Sequence, residues 1–150
     1  MRRNALAGLL AGVALSLATA IATPAAEANS PDDILVIANN SVGVSSLSVE
    51  DVRAIFLKKR TSWQSGGKAI PVHAKDGTSL RQAFLERVLG MTSGEETSYW
   101  QDQKIRKGID GPTEFSNPLK AVFRIQGGIS YVFRSDYKEG VAKVLLVLPR

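Results

Sequence analysis

The sequence predicts a single α/β domain, a sheet flanked by helices, and three observations carry that expectation. Ile34-Leu35-Val36-Ile37-Ala38 is a continuous β-branched and aliphatic run with the length of a strand buried on both faces. Beyond it, strand-like runs alternate with segments whose apolar residues recur at helical spacing. No repeat, linker or cysteine interrupts the order, so one core held by packing is expected.

The first residues stand apart. Arg2 and Arg3 precede an apolar stretch from Ala5 to Ala22, and Ala26-Glu27-Ala28 supplies the small residues of a signal-peptidase site. Residues 1–28 are therefore read as a cleaved secretory signal and residues 29–150 as the working domain, periplasmic or secreted. An uncleaved membrane anchor is the competing reading, but the stretch is weakly hydrophobic and no positive cluster follows it. Removing the signal leaves 122 of the 150 residues and takes the formal charge from +5 to +4. That mild basicity favours anions in general. It does not indicate nucleic acid, because the Lys and Arg residues are scattered. Without cysteine, a lipid-modified anchor is excluded and no membrane insertion is expected after cleavage.

Along the mature chain, Ser48 is placed to cap a helix whose core face is Val49, Val52, Ile55 and Phe56. A strand follows at Ala69–Ala74, with Pro71 marking a strand edge or start. Asp76-Gly77-Thr78-Ser79 forms a turn into a second helix, Leu80–Leu89, stopped by Gly90. Ser93–Lys107 reads as a polar third helix, acidic early at Glu95 and Glu96 and basic late. Ser116-Asn117-Pro118 opens a fourth helix, and Ile129–Phe133 and Lys143–Leu148 are the last two strands.

The strand-turn-helix at Asp76–Ser79 is the strongest functional feature. Free N–H groups at a helix start attract an oxyanion, Gly77 permits close backbone approach, and Thr78 and Ser79 can add hydroxyl donors. Arg81, one turn on, is placed to reach back with a forked guanidinium. Asp76 accepts only, so it selects a ligand that still carries a proton, such as hydrogen phosphate, over sulfate. The same residues also suit a plain Asp-Gly turn with a capped helix.

Other residues carry blander expectations. His73, the single histidine, is read as structural or surface; with no second His and no Cys, neither a metal site nor any cofactor is expected. Lys58-Lys59-Arg60 is read as solvated surface, Tyr99-Trp100 as packing a helix onto the sheet, and Tyr131 and Phe133 as strand and core. Hydrolytic chemistry has thin support, because a Ser or Thr nucleophile needs an adjacent base.

The order of these motifs resembles one lobe of the periplasmic phosphate-binding proteins of ABC importers, and more closely their short single-lobe relatives. The residues that carry it are Leu47-Ser48-x-x-Asp51-Val52-x-x-Ile55-Phe56-Leu57 with Trp63 and Gly67, then Ile70-Pro71-Val72, Asp76-Gly77-Thr78-Ser79-x-Arg81-x-x-Phe84, and Gly127-Gly128-Ile129-Ser130-Tyr131-Val132. The resemblance implies a single three-layer sandwich lobe with a central mixed sheet, type II periplasmic binding protein-like. It implies non-catalytic binding of phosphate or a similar oxyanion at Asp76, Gly77, Thr78, Ser79 and Arg81, in an ABC uptake or sensing system. Full-size relatives carry Arg two residues before the Asp, where this chain has Ala74, and their Ser-Gly-Thr is here Gly77-Thr78-Ser79. They also close two lobes around the ion. A permease, a second copy or another envelope protein is thus the expected source of the missing wall, and a purely structural or interaction role is the alternative.

Overall fold

Aliphatic sequence without interruption makes β1 (Ile34–Ala38) a strand with all five residues buried. It can be buried on both faces because helices cover the sheet from either side. The computed structural model describes residues 29–150, and the signal segment expected at 1–28 lies outside them. After β1 come α1 (Val49–Phe56), β2 (Ile70–Ala74), α2 (Ser79–Phe84) with a π-helical turn at Leu85–Leu89, α3 (Ser93–Lys107), β3 (Thr113–Phe115), α4 (Pro118–Arg124), β4 (Gly128–Phe133) and β5 (Lys143–Leu148).

The five strands form one mixed sheet in the order β3-β2-β4-β1-β5. β2 runs parallel to β3 and β4, whereas β1 is antiparallel to β4 and β5. Ile34 is opposite Phe133 on one side and Leu148 on the other. β2 is therefore an interior strand, so of the two positions that Pro71 allowed, edge or start, it takes the start, as the second residue of β2. Proline fits because β3 pairs only with Val72–Ala74, leaving that flank of Pro71 without a ladder to join.

Alternation along the strands sorts the core into two layers. Ile34, Val36, Ile129 and Tyr131 face α1, α2 and the π-helical turn, meeting Val52, Ile55, Phe56, Phe84 and Val88. The Phe84 and Tyr131 rings stack at 3.7 Å, and Phe56 tilts against Phe84 with centroids 4.7 Å apart. Leu35, Ile37 and Val132 face the other way, against Val122 of α4 and Ala142.

Local chemistry ends the helices where the sequence expects. Ser48 and Asp51 form a reciprocal capping box at α1. Gly90 and Gly108, at φ 65° and 68°, stop the π-helical turn and α3 in the left-handed conformation that glycine adopts without strain. Asn117 caps α4 with Pro118 at its first position. β3 has no counterpart in the sequence reading, because three exposed residues carry no apolar alternation. Lys58-Lys59-Arg60 is less free than a solvated loop, since Lys58 Nζ donates to the Asp110 carbonyl at 2.7 Å and Arg60 pairs with Asp51 at 2.8 Å.

Candidate functional site

The carboxyl end of β2 delivers the chain into the turn Lys75–Thr78, and Thr78 begins α2 as its N-cap. Gly77 adopts φ +77°, a left-handed conformation that explains glycine here. Asp76, Gly77, Thr78 and Ser79 are all exposed and adjacent. The Thr78 hydroxyl is occupied: it donates to the Lys75 carbonyl at 2.8 Å and accepts from the Arg81 amide at 3.2 Å. Among the described residues, the backbone N–H groups of Gly77, Ser79 and Leu80 have no protein acceptor. The turn thus leaves three neighbouring backbone donors without a protein partner.

Arg81 does not join them. The sequence reading has it reach back over the turn, but the structure buries it to 6% exposure. Its Nη2 donates to Glu96 Oε2 at 2.9 Å, and its Nη1 donates to the Ala74 carbonyl at 2.7 Å and to Glu114 Oε1 at 3.4 Å. A buried guanidinium requires a countercharge and filled donors. The inner end of α3 supplies that charge, so the side chain turns inward.

Glu96 is the functional-looking residue that sequence reasoning placed elsewhere. It reads as an early acid favouring the α3 dipole, yet it is the buried residue of that helix, 3% exposed. Its outer neighbour Glu95 performs the capping role instead, paired reciprocally with Thr92. The available signal is the i, i+3, i+4 stripe that Glu96 shares with Tyr99 and Trp100, which turns the three side chains to one side of the helix.

The buried network continues through His73. Its Nε2 lies 3.0 Å from Glu96 Oε1, a close polar contact out of line for a hydrogen bond, and its Nδ1 is 2.8 Å from Tyr131 Oη. Because Tyr131 Oη also accepts from the Ala74 amide at 3.2 Å, its own proton is assigned to His73 Nδ1, leaving the imidazole proton on Nε2 toward Glu96. Burial pushes His73 below its ordinary value, against the opposing pull of Glu96, so the ring is neutral at neutral pH. Burial pushes Glu96 up, but its contacts with His73 and Arg81 outweigh this and hold the carboxyl at about 2. Burial pushes Tyr131 well above the usual phenol range. The structural expectation for His73 is met in an unexpected way, as the centre of a polar core chain.

A cavity of about 500 Å³ opens beside this network, between α3, the β2–α2 turn and β3. Its charged lining is Asp76, Glu96, Asp110 and Glu114 against Arg81 and Lys104. Lys104 pairs with Asp110 at 2.7 Å, as Arg81 does with Glu96. The cavity therefore carries an acidic surplus close to the turn. Trp100, expected to pack onto the sheet, instead lies over Gly111, whose added Cβ would meet the indole at 3.1 Å.

No protein-family model and no curated protein matches the chain. Solved structures do share its fold. A phosphate ABC transporter substrate-binding protein from Clostridium perfringens, solved with bound phosphate, is similar with a TM-score of 0.57 and 21% identity over 78% of this chain and 46% of that one. An ABC-type phosphate transport receptor from Vibrio cholerae gives 0.59 and 12% identity over 78% and 47%. PstS from Borrelia burgdorferi gives 0.52 and 12% over 67% and 40%. The chain thus spans less than half the length of these binding proteins, and its α/β architecture is that of one lobe of a phosphate-transporter substrate-binding protein.

Proposed function

We propose that this chain is exported, with residues 1–28 as a cleaved signal, and acts outside the cytoplasm as a non-catalytic lobe for phosphate or a similar oxyanion. The observation that carries the reading is the turn at Asp76–Ser79, in which Gly77, Ser79 and Leu80 have N–H groups without a protein acceptor, within a lobe fold like that of phosphate receptors. Ser79 can add its hydroxyl, and Asp76 favours a protonated anion. Thr78 and Arg81 support the site from behind: Thr78 shapes the turn and Arg81 fastens the carboxyl end of β2 to α3.

Magnitude requires a second wall. Three hydrogen bonds to an anion at roughly 1.5–3 kcal/mol each give about 4.5–9 kcal/mol, from which association removes at least about 4. The remainder, at most about 5 kcal/mol, corresponds to binding no tighter than about 0.2 mM, since 1 mM is about 4.1 kcal/mol. An ABC permease, a second copy or another envelope protein facing the turn would add the remaining donors. Calorimetric titration with phosphate and with sulfate tests the lobe alone: weak binding of phosphate over sulfate is expected. Equal binding of both removes the role of Asp76, and none at tens of millimolar removes the reading.

A second reading has its own support. The internal commitment of Thr78 and Arg81, together with the acidic surplus beside the turn, favours an envelope interaction protein that keeps the lobe fold without useful ligand affinity. Crosslinking in intact cells distinguishes the two, because this reading requires a stoichiometric partner whose capture is insensitive to phosphate.

A further inference from the structure

Among the described residues α3 is the longest helix, at 15 residues, yet it buries one side chain completely, Glu96. Tyr99 is its one member packed against the larger apolar cluster, with a long 3.4 Å hydrogen bond to the Leu57 carbonyl, and the smaller cluster contains no residue of α3. Trp100 lies over Gly111 and Lys104 pairs with Asp110, both in the loop that continues from the helix. Arg106 pairs with Asp102 inside the helix. Exposed pairs of this kind contribute little. The buried polar ties of α3 to the rest of the domain are thus those of Glu96, at 2.9 Å to Arg81 and 3.0 Å to His73. Left-handed glycines flank the segment, Gly90 before it and Gly108 at its end. Hinges of mobile elements sit at such terminal positions.

We infer that α3 is a hinged cover, which leaves the domain as a unit while the sheet and the other helices stay folded, and that protonation of His73 releases it. The apolar layers on both sides of the sheet are complete without α3 except for Tyr99, so its departure exposes little apolar surface. Elements with few buried apolar contacts open below the global unfolding free energy.

The trigger follows from what surrounds the imidazole. His73 is fully buried among the rings of Phe56, Phe84 and Tyr131. The titratable and charged groups that face it are Arg81 from α2, Glu96 from α3, Glu114 from β3 and the Tyr131 phenol from β4, while α1 offers only the Phe56 ring. A proton on the ring would sit in this apolar setting beside a guanidinium, with Glu96 already shared with Arg81. Burial outweighs the pull of Glu96, so the docked ring resists protonation. Departure of α3 opens the cavity wall to which His73, Arg81 and Glu96 all belong, and the three reach water together. No charge is then left buried without a partner. The open state takes its proton at the ordinary 6.5 and the docked state below it, so falling pH favours opening by up to about tenfold per pH unit. Glu96 is not the sensor, because its carboxyl stays ionised down to about 2.

Native-state hydrogen exchange followed by NMR in low urea, at about pH 7 and about pH 5 and corrected for intrinsic exchange rates, tests both halves. The hydrogen-bonded amides of Thr97–Lys107 should be less protected than those of β1 and β4 and should depend less steeply on urea. Their protection should fall at least about fivefold between the two pH values. His73→Gln should abolish this fall and keep α3 a separately opening segment. Protection and urea dependence shared by α3 and the β1 and β4 amides overturn the hinged cover. Protection of α3 that is equal at the two pH values, or a fall that persists in His73→Gln, overturns the trigger. The comparisons in wild type decide the case even where the variant does not fold. Gly77–Leu80 lie outside Gly90–Gly108, so each outcome stands whether or not the turn binds an oxyanion.

Discussion

Replacing Glu96 with Gln keeps the shape of the side chain and removes the charge that Arg81 faces, at a site where both side chains are under 10% exposed. The carboxyl sits at about 2 against an ordinary 4.5, and each tenfold change in proton affinity is worth about 1.4 kcal/mol, so linkage assigns the charge about 3 kcal/mol of stability. Removing one partner of a buried pair costs about 3–5 kcal/mol. The lower end applies here, because the Ala74 carbonyl and Glu114 still receive Arg81. Against the roughly 5–15 kcal/mol of a typical domain, such a loss is large. Because the folded value is depressed, the contribution is complete above the ordinary carboxylate value and disappears as pH falls from about 4.5 to about 2. Urea unfolding of wild type and Glu96→Gln across this range should show a gap of about 3 kcal/mol at neutral pH that closes in acid. A neutral-pH gap below about 1 kcal/mol, or one that stays constant into acid, refutes the assignment of Glu96 as the ionised anchor of Arg81.

The same core makes further outcomes measurable. His73→Gln should flatten the earlier part of the acid loss: burial lowers the folded His73 below its ordinary 6.5, so its contribution is complete above that value and is lost as pH falls below it. The check is the urea midpoint measured in steps downward from neutral pH. Tyr131→Phe strips the acceptor of the Ala74 amide and the partner of His73 Nδ1, and should cost about 1–3 kcal/mol in the same assay. Gly127→Ala should cost more than about 2 kcal/mol, since its Cβ would sit 2.3 Å from the Lys68 carbonyl oxygen at φ +75°. Gly77→Ala, where nothing lies within 4 Å, should cost only the strain of φ +77°, about 1–2 kcal/mol.

Much of the fold was legible because its determinants are local. β1, β5 and α3 occupy the spans read from hydrophobic runs and dipole-matched ends, and Gly90, Gly108 and Pro118 punctuate helices as their backbone chemistry requires. β3 was not legible, because it is a strand only by pairing with β2 at Val72–Ala74. The site divides along the same line. The Asp76–Ser79 turn and the Thr78 cap follow from residues adjacent in sequence, whereas the Arg81–Glu96 and His73–Tyr131 contacts join residues 15 and 58 positions apart. Charge pairing across such distances leaves no periodic trace. Glu96 beside Glu95 reads as one of two equivalent acids unless its i, i+3, i+4 spacing to Tyr99 and Trp100 is taken as the inward stripe of the helix.

Docking α3 also explains why the residues with the best anion chemistry are withheld from the turn. α3 is polar along most of its length, and its 15 residues bury one side chain completely, an acid. Such a helix gains little from apolar burial and needs a charge partner in the body of the domain. Arg81, one turn into α2 and within reach of the Ala74 carbonyl at the end of β2, is that partner. The guanidinium cannot both close this pair and reach over the turn, because a return to solvent would leave Glu96 buried without its countercharge. Any oxyanion at Asp76–Ser79 is consequently held by backbone donors, whose strength is independent of pH. The pH dependence of its binding then reports the anion's own protonation, whereas the pH dependence of folding reports Glu96 and His73. Phosphate affinity that tracked the Glu96 titration would show that Arg81 leaves its pair on binding, and would return it to the site.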